Sequence, residues 1–301
     1  MRNFITRKSL IPGVIVLIVA IVIVVVVMTV GGSGPKLAAT NPKPLSVVAG
    51  PAGLIGGTTP DTAGRSWVLV NLRGKANLQY IDMANGAVDG AVPLSNESRS
   101  VATATGGVVG VGLSGNSTGA VEFFSSQGFH GIGSVALPGP VLDLVAGSNG
   151  QSFYALVDAN GDDSVSIVSD RTFRILGTIP LPSATLSIAV SPDLSSIYSL
   201  QANGRISIAD IQTGQVIESL PSAAGGRQLA LSIDGSTLYV LKGSVGDDNV
   251  SVINVATQST VAVLPAPAYC RWIAPSLDGT QLVDFVGTST YGNLQNFATH
   301  R

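Results

Sequence analysis

A four-residue turn that recurs at nearly regular intervals constrains the fold of this 301-residue chain more than any other feature. Its copies are GSNG at 147–150, SPDL at 191–194, SIDG at 232–235 and SLDG at 276–279, with successive spacings of 44, 41 and 44 residues. A repeat of about 40 to 45 residues that contains several short strands is typical of a β-propeller blade. The sequence therefore predicts an all-β propeller.

The number of units follows from the strand pair that ends each one. Five copies of this pair are visible, and they end at Leu94, Leu137, Leu181, Leu220 and Leu264. A sixth unit begins at Trp272, with a third strand at 291–298, and the sequence ends before a fourth strand. We expect residues 45–49 (LSVVA) to supply that strand, because an open seam would leave backbone groups unpaired. The sequence thus predicts six blades; seven would need another unit within 44–66, which is too short for four strands.

An uncharged segment precedes the repeats. Residues 10–30 (LIPGVIVLIVAIVIVVVVMTV) are almost entirely Val, Ile and Leu, and as a helix they would span the ~30 Å hydrocarbon core of a bilayer. Arg2, Arg7 and Lys8 precede this run, so the positive-inside rule places residues 1–9 in the cytoplasm. We expect an uncleaved signal anchor. A cleavable signal peptide is the alternative, but the apolar run is long for one and no Ala-x-Ala site follows.

The chain therefore divides into four predicted parts. Residues 1–9 form a cytoplasmic N-terminus, 10–30 a single transmembrane helix, 31–43 a linker rich in Gly, Pro and small polar residues, and 44–301 the propeller domain. This arrangement places the propeller outside the cytoplasm, at the cell membrane. The single cysteine, Cys270, cannot form an internal disulfide there, so the domain must rely on its core for stability.

Charge limits the classes of partner. The formal net charge is −2 and 11% of residues are charged, which leaves no basic surface of the kind that binds nucleic acid. We expect no nucleic-acid partner and no cofactor.

One unit resembles a known repeat family. LYVLK at 238–242 is followed by DNVSVIN at 248–254 and ATQSTVA at 256–262. This pattern is similar to the YVTN family of β-propeller repeats, in which a Tyr-Val-Thr-Asn strand precedes an Asn-x-Val-Ser-Val-Ile-Asp strand. Leu241 and Lys242 replace the family's Thr-Asn, and only the turn at Ser191 keeps its Ser-Pro-Asp. The resemblance covers residues 97–286 and implies the propeller fold, whereas such repeats occur in surface proteins, binding modules and some enzymes.

Three arginines share one position in the repeat. Arg99, Arg227 and Arg271 each lie seven residues before the same point of the repeat turn, where two other units carry Leu142 and Leu186. The inner strand of each blade lines the channel of a propeller, so this position is predicted near the channel rim. Guanidinium groups bind carboxylates and phosphates in a bidentate manner. The pattern predicts a site for an anionic ligand or an acidic partner loop; alternatively, these arginines pair with carboxylates of neighbouring blades.

Two acidic stretches are predicted on the same face. One contains Asp162 and Asp163, and the other contains Asp247 and Asp248. We include these four residues among the candidate ligand-binding residues.

The first acidic stretch also matches part of a calcium-binding loop. Asp158, Asn160 and Asp162 occupy positions one, three and five of that pattern. Position six is Asp163 where the loop requires Gly, and position twelve is Ser169 where it requires Glu. These two departures favour an acidic hairpin turn over a metal site.

Residues for hydrolytic chemistry are scarce. The two histidines, His130 and His300, both lie away from the predicted rim, which disfavours a zinc site or a Ser-His-Asp arrangement. The sequence favours a membrane-anchored binding or scaffold module for a protein or cell-surface ligand. A hydrolase of the propeller-lactonase type and a structural subunit of an envelope complex are the alternatives.

Overall fold

The structure is a computed structural model that describes residues 53–60, 65–72, 75–82, 88–95, 97–115, 118–220, 223–243, 248–275, 281–287 and 292–298. The predicted parts 1–9, 10–30 and 31–43 and the predicted closing strand 45–49 lie outside these residues. Among the residues that are described, no helix has the length and apolar character needed to cross a membrane. All regular structure in the same ranges is β-strand, which confirms the all-β prediction.

The described strands form six antiparallel sheets, numbered here in chain order. Sheet one contains β1 (Gly53–Pro60), β2 (Arg65–Leu72), β3 (Lys75–Asp82) and β4 (Val88–Pro93). Sheet two contains β5 (Ser98–Thr103), β6 (Val108–Ser114), β7 (Gly119–Ser125) and β8 (Gly131–Leu137). Sheet three contains β9 (Val141–Ala146), β10 (Ser152–Ala159), β11 (Asp162–Ser169) and β12 (Arg174–Pro180).

The other three sheets follow the same order. Sheet four contains β13 (Thr185–Val190), β14 (Ser196–Gln201), β15 (Ile206–Asp210) and β16 (Val216–Leu220). Sheet five contains β17 (Gly226–Leu231), β18 (Thr237–Lys242), β19 (Asn249–Asn254) and β20 (Ser259–Pro265). Sheet six contains three described strands, which are β21 (Cys270–Pro275), β22 (Gln281–Gly287) and β23 (Gly292–Ala298).

The sheets are arranged as a ring around a central channel. The first strand of each sheet, here called the inner strand, contacts the inner strand of the next sheet in the order β1, β5, β9, β13, β17 and β21. β21 also contacts β1, so the ring closes between the last sheet and the first. Consecutive strands pair as hairpins within each sheet. This is the arrangement of a β-propeller.

The hydrophobic core lies between neighbouring sheets. One cluster includes Leu156 of sheet three and Ile188 of sheet four, and another includes Leu200 of sheet four and Leu238 of sheet five. β10 is buried along its first six residues because it has a sheet on either side. In contrast, β16 lies at the outer edge of sheet four, here called the rim, and exposes its first four residues. Burial therefore falls from the channel towards the outer edge of each blade.

Polar side chains also connect the inner strands, in an arrangement that we call the interblade belt. In sheets two to five, the third residue of the inner strand accepts a hydrogen bond from the amide of the fourth residue of the next inner strand. The acceptor and donor pairs are Ser100 and Leu144 (2.8 Å), Asp143 and Ile188 (2.9 Å), Ser187 and Leu229 (3.0 Å), and Gln228 and Ile273 (2.8 Å). These bonds satisfy buried amides and tie each inner strand to the next.

Candidate functional site at the channel mouth

A β-bulge recurs at the same place in five sheets. In sheets two to six the second residue of the inner strand has no partner in the ladder, because the register shifts on either side of it. These five residues, which we call the mouth ring, are Arg99, Leu142, Leu186, Arg227 and Arg271. They are the five residues that the repeat alignment places together. A bulge re-aims a side chain and interrupts pairing, and bulges are over-represented next to active sites.

At Arg99 the bulge turns the side chain away from the core. In β5, Ser98 and Ser100 are buried on either side of Arg99, which is exposed. An inner strand has neighbouring inner strands on both flanks and its own second strand behind it. An exposed side chain near its first residue therefore faces the mouth of the central channel.

The chemistry of the mouth ring divides it into sectors. Following the ring, Arg99 is succeeded by Leu142 and Leu186, and these are succeeded by Arg227 and Arg271. Arg99, Leu186 and Arg271 are exposed, while Leu142 and Arg227 are half-buried. The mouth thus has an aliphatic sector on sheets three and four and a cationic sector on sheets five and six.

The Arg227 side chain is held in place by Asp248. Its Nη2 atom lies 2.5 Å from Oδ1 of Asp248 and 3.3 Å from the carbonyl oxygen of Cys270. The other carboxylate oxygen of Asp248 accepts the Cys270 amide at 2.9 Å. The Asp248 side chain is fully buried, so this pair joins sheet five to sheet six beneath the mouth. Nε of Arg227 is buried without a hydrogen-bond partner among the described residues.

Asp163 has the corresponding place in sheet three. Its Oδ2 atom accepts the amide of Thr185, the first residue of β13, at 2.7 Å. Burial raises the pKa of the Asp163 carboxyl; the Thr185 hydrogen bond opposes that rise, and the charges of Asp158 and Asp162 add to it. Asp163 and Asp248 therefore both join neighbouring sheets, and each uses one carboxylate oxygen to do so. Asp247 lies outside the described residues.

The residues of the calcium-loop pattern form a hairpin between β10 and β11. Asp158 pairs with Asp163 and Ala159 pairs with Asp162, which leaves Asn160 and Gly161 as a two-residue turn with φ of 60° and 93°. Positive φ at both residues is typical of a type I′ turn. Oδ1 of Asp158 caps this turn by accepting the Gly161 amide at 2.7 Å. Among the described residues, no group of three His, Cys, Asp or Glu side chains is placed to hold a metal.

His130 lies at the other end of the blade. It is exposed between β7 and β8, and antiparallel alternation puts that connection on the face opposite the start of the inner strands. His300 lies outside the described residues. The described histidine is therefore separated from the mouth ring.

Sequence reasoning did not single out Asp143, the third residue of β9. Its carboxylate is buried beneath the mouth ring and accepts hydrogen bonds from Ser100, Ser187, Leu144 and Ile188. Burial raises the pKa of Asp143 to about 6, although these four hydrogen bonds favour the ionised form. The available signal was an acidic residue inside the apolar strand VLDLVA.

Comparisons with known proteins identify the fold. The sequence matches no protein-family model and no curated protein. The structure is similar to the β-propeller domain of Cps50 (Swd1) from Myceliophteria thermophila, with a TM-score of 0.61 and 14% sequence identity. The match covers 85% of this chain and 100% of that domain. At this identity the likeness establishes the fold alone, and it confirms the prediction of a β-propeller.

Proposed function

We propose that this protein is a membrane-anchored binding module whose mouth ring contacts a protein partner outside the cytoplasm. The observation that carries the proposal is the bulge repeated at one register in sheets two to six, which presents three arginines and two leucines around one opening. Arginine is enriched in protein interfaces and recognises carboxylates through its planar fork of donors. The propeller fold is consistent with a protein-binding scaffold role.

The remaining parts of the chain complete this proposal. Residues 10–30 serve as the single-pass anchor, with residues 1–9 in the cytoplasm and residues 31–43 as the linker. The propeller has six blades of the YVTN type, and residues 45–49 add the fourth strand of the last blade beside β23. The uncharged run and its preceding basic residues support the anchor, and the three described strands of sheet six support the closing strand.

A pull-down with arginine variants tests the proposal. The full chain, solubilised in mild detergent from its own membranes, is compared with an Arg99→Ala/Arg271→Ala variant. Both arginines are exposed at the mouth, so we expect stoichiometric partner capture to fall about tenfold or more, the loss of two charge-assisted contacts. Arg227 is left intact because it and its ion-pair partner Asp248, both in sheet five, bind the backbone of Cys270 in sheet six.

The matched control removes the same charge elsewhere. Arg171 and Arg174 are exposed at the connection and first residue of the outer strand β12, and an Arg171→Ala/Arg174→Ala variant should capture the partner as the unchanged chain does. Equal capture by the mouth variant and the unchanged chain would overturn the proposal.

A further inference from the structure

We infer that the mouth ring recognises a protein segment in which carboxylates alternate with aliphatic side chains, a specificity that rests on the proposed function. The carboxylate lies against Arg227 and Arg271, and the aliphatic side chain lies against Leu142 and Leu186. Three separate features of the mouth lead to this assignment.

The first feature is the aliphatic sector. Leu186 is 41% exposed, and its neighbour Leu142 is half-buried, packing at the edge of the core between sheets three and four. A scattered exposed leucine needs no explanation. Here two leucines, one exposed and one half-buried, take the same bulged position in adjacent blades. Covering them with an aliphatic side chain removes apolar surface from water.

The second feature is the fixed orientation of Arg227. Its ion pair with Asp248 and its contact with the Cys270 carbonyl group restrain the guanidinium before any ligand arrives. A restrained donor loses less conformational entropy on binding than a mobile one. Arg271 follows on the adjacent inner strand and is exposed, so a carboxylate-bearing segment at the mouth meets two guanidinium groups.

The third feature is the acidic hairpin of sheet three. Asp162 is exposed and Asp158 is half-buried beside its turn, on the face where the inner strands begin. Their charges repel a ligand carboxylate from the aliphatic sector and leave the cationic sector as its place. The mouth therefore favours one orientation of a segment that carries both carboxylates and aliphatic side chains. The charges of the mouth select that orientation.

Three acetylated fluorescent octapeptides test the inference against the full chain in detergent. They are GSELDLGS, the acidic and polar GSESDSGS, and the uncharged GSQLNLGS, and fluorescence anisotropy gives their dissociation constants. We expect GSELDLGS to bind roughly 30-fold more tightly than GSESDSGS, a difference of about 2 kcal/mol, since its two leucines each become half-buried on binding. GSQLNLGS should bind at least tenfold more weakly than GSELDLGS, because it lacks the charges.

Variants assign the effect to the aliphatic sector. Leu186→Ser should weaken GSELDLGS severalfold and leave GSESDSGS unchanged. Val261→Ser is the matched control, since Val261 is 60% exposed on the outer strand β20, and it should change neither. Equal binding of the two acidic peptides, or no response to Leu186→Ser, overturns this inference. The proposed function would still be supported if partner capture depends on the arginines. Retention of the partner by the Arg99→Ala/Arg271→Ala variant overturns the function itself.

Discussion

At the scale of single residues, the carboxyl group of Asp143 joins three inner strands. It accepts hydrogen bonds from the hydroxyls of Ser100 in β5 (3.1 Å) and Ser187 in β13 (2.7 Å), and from the amide of Ile188 (2.9 Å). The residue is 2% exposed, and burial raises its pKa to about 6. An ionised carboxylate in this place is costly because burial removes it from water, and the hydrogen bonds offset only part of that cost.

The raised pKa makes the stability of the domain depend on pH. A carboxyl group whose pKa is about 6 when folded and about 3.8 when unfolded favours folding most below pH 3.8, and this contribution is lost as pH rises through 6. We predict that the unfolding free energy of the unchanged chain, relative to an Asp143→Asn variant, falls on the order of 2 to 3 kcal/mol between pH 4 and pH 7. Urea titrations of both proteins at a series of pH values measure it.

The variant isolates this effect from the other titrating groups. Asparagine does not titrate, so its altered hydrogen bonding shifts the stability equally at every pH. Asp163 and Asp170, whose pKa values burial also raises, are common to both proteins and cancel in the difference. A difference between the two proteins that stays constant from pH 4 to pH 7 would show that Asp143 keeps an ordinary pKa.

At the scale of elements, neighbouring blades approach through bare backbone. A Cβ atom on Gly139, in the connection between β8 and β9, would overlap the carbonyl oxygen of Asp158 in the hairpin of the next strands. A Cβ atom on Gly119 would overlap the carbonyl oxygen of Gly139 in the same way. Glycine at these two positions therefore lets the connection between β8 and β9 lie against two hairpins, which join the second and third strands of sheets two and three.

We predict that Gly139→Ala destabilises the propeller by on the order of 3 kcal/mol, because the added methyl group meets backbone that cannot rotate away. Gly177→Ala in β12 is the control, since a Cβ atom there has no neighbour within 4 Å and should change stability by less than about 0.5 kcal/mol. Thermal and urea unfolding of the full chain in detergent compare the two. Similar midpoints for both variants would mean that the connection does not approach the hairpin this closely.

The strands and the shared position of three arginines could be predicted from the sequence because each repeats, whereas the β-bulge at that position was found only in the structure. In β19, Val250 and Val252 alternate with polar residues, and both valines are buried. Arg99, Arg227 and Arg271 occupy the same position when one unit is aligned on another. The roles of Asp143, Asp163 and Asp248 were not accessible, because each depends on a contact with the next blade. The partners of Asp163 and Asp248 lie 22 residues further along the chain, and no local pattern marks such a contact.

At the scale of the whole molecule, the mouth and the outer strands of the blades differ in their exposed side chains. The end where the inner strands begin carries the mouth ring and the acidic hairpin of sheet three. The outer strands β12, β16 and β20 expose scattered aliphatic side chains along the rim, among them Leu176, Ile217 and Val261. At the mouth, arginines and leucines take one repeated bulged position on successive inner strands, and this ordered arrangement distinguishes the mouth from the rim as a surface for recognition.

Site-specific photo-crosslinking can locate the partner on the surface of the propeller. The photo-reactive residue p-benzoylphenylalanine replaces Leu186 at the mouth in one protein and Leu176, which is 61% exposed on β12, in another. Both proteins are irradiated in their own membranes and analysed by mass spectrometry. We expect one dominant protein adduct from position 186 and none from position 176; an adduct from position 176 with none from position 186 would place the partner on the outer strands instead of the mouth.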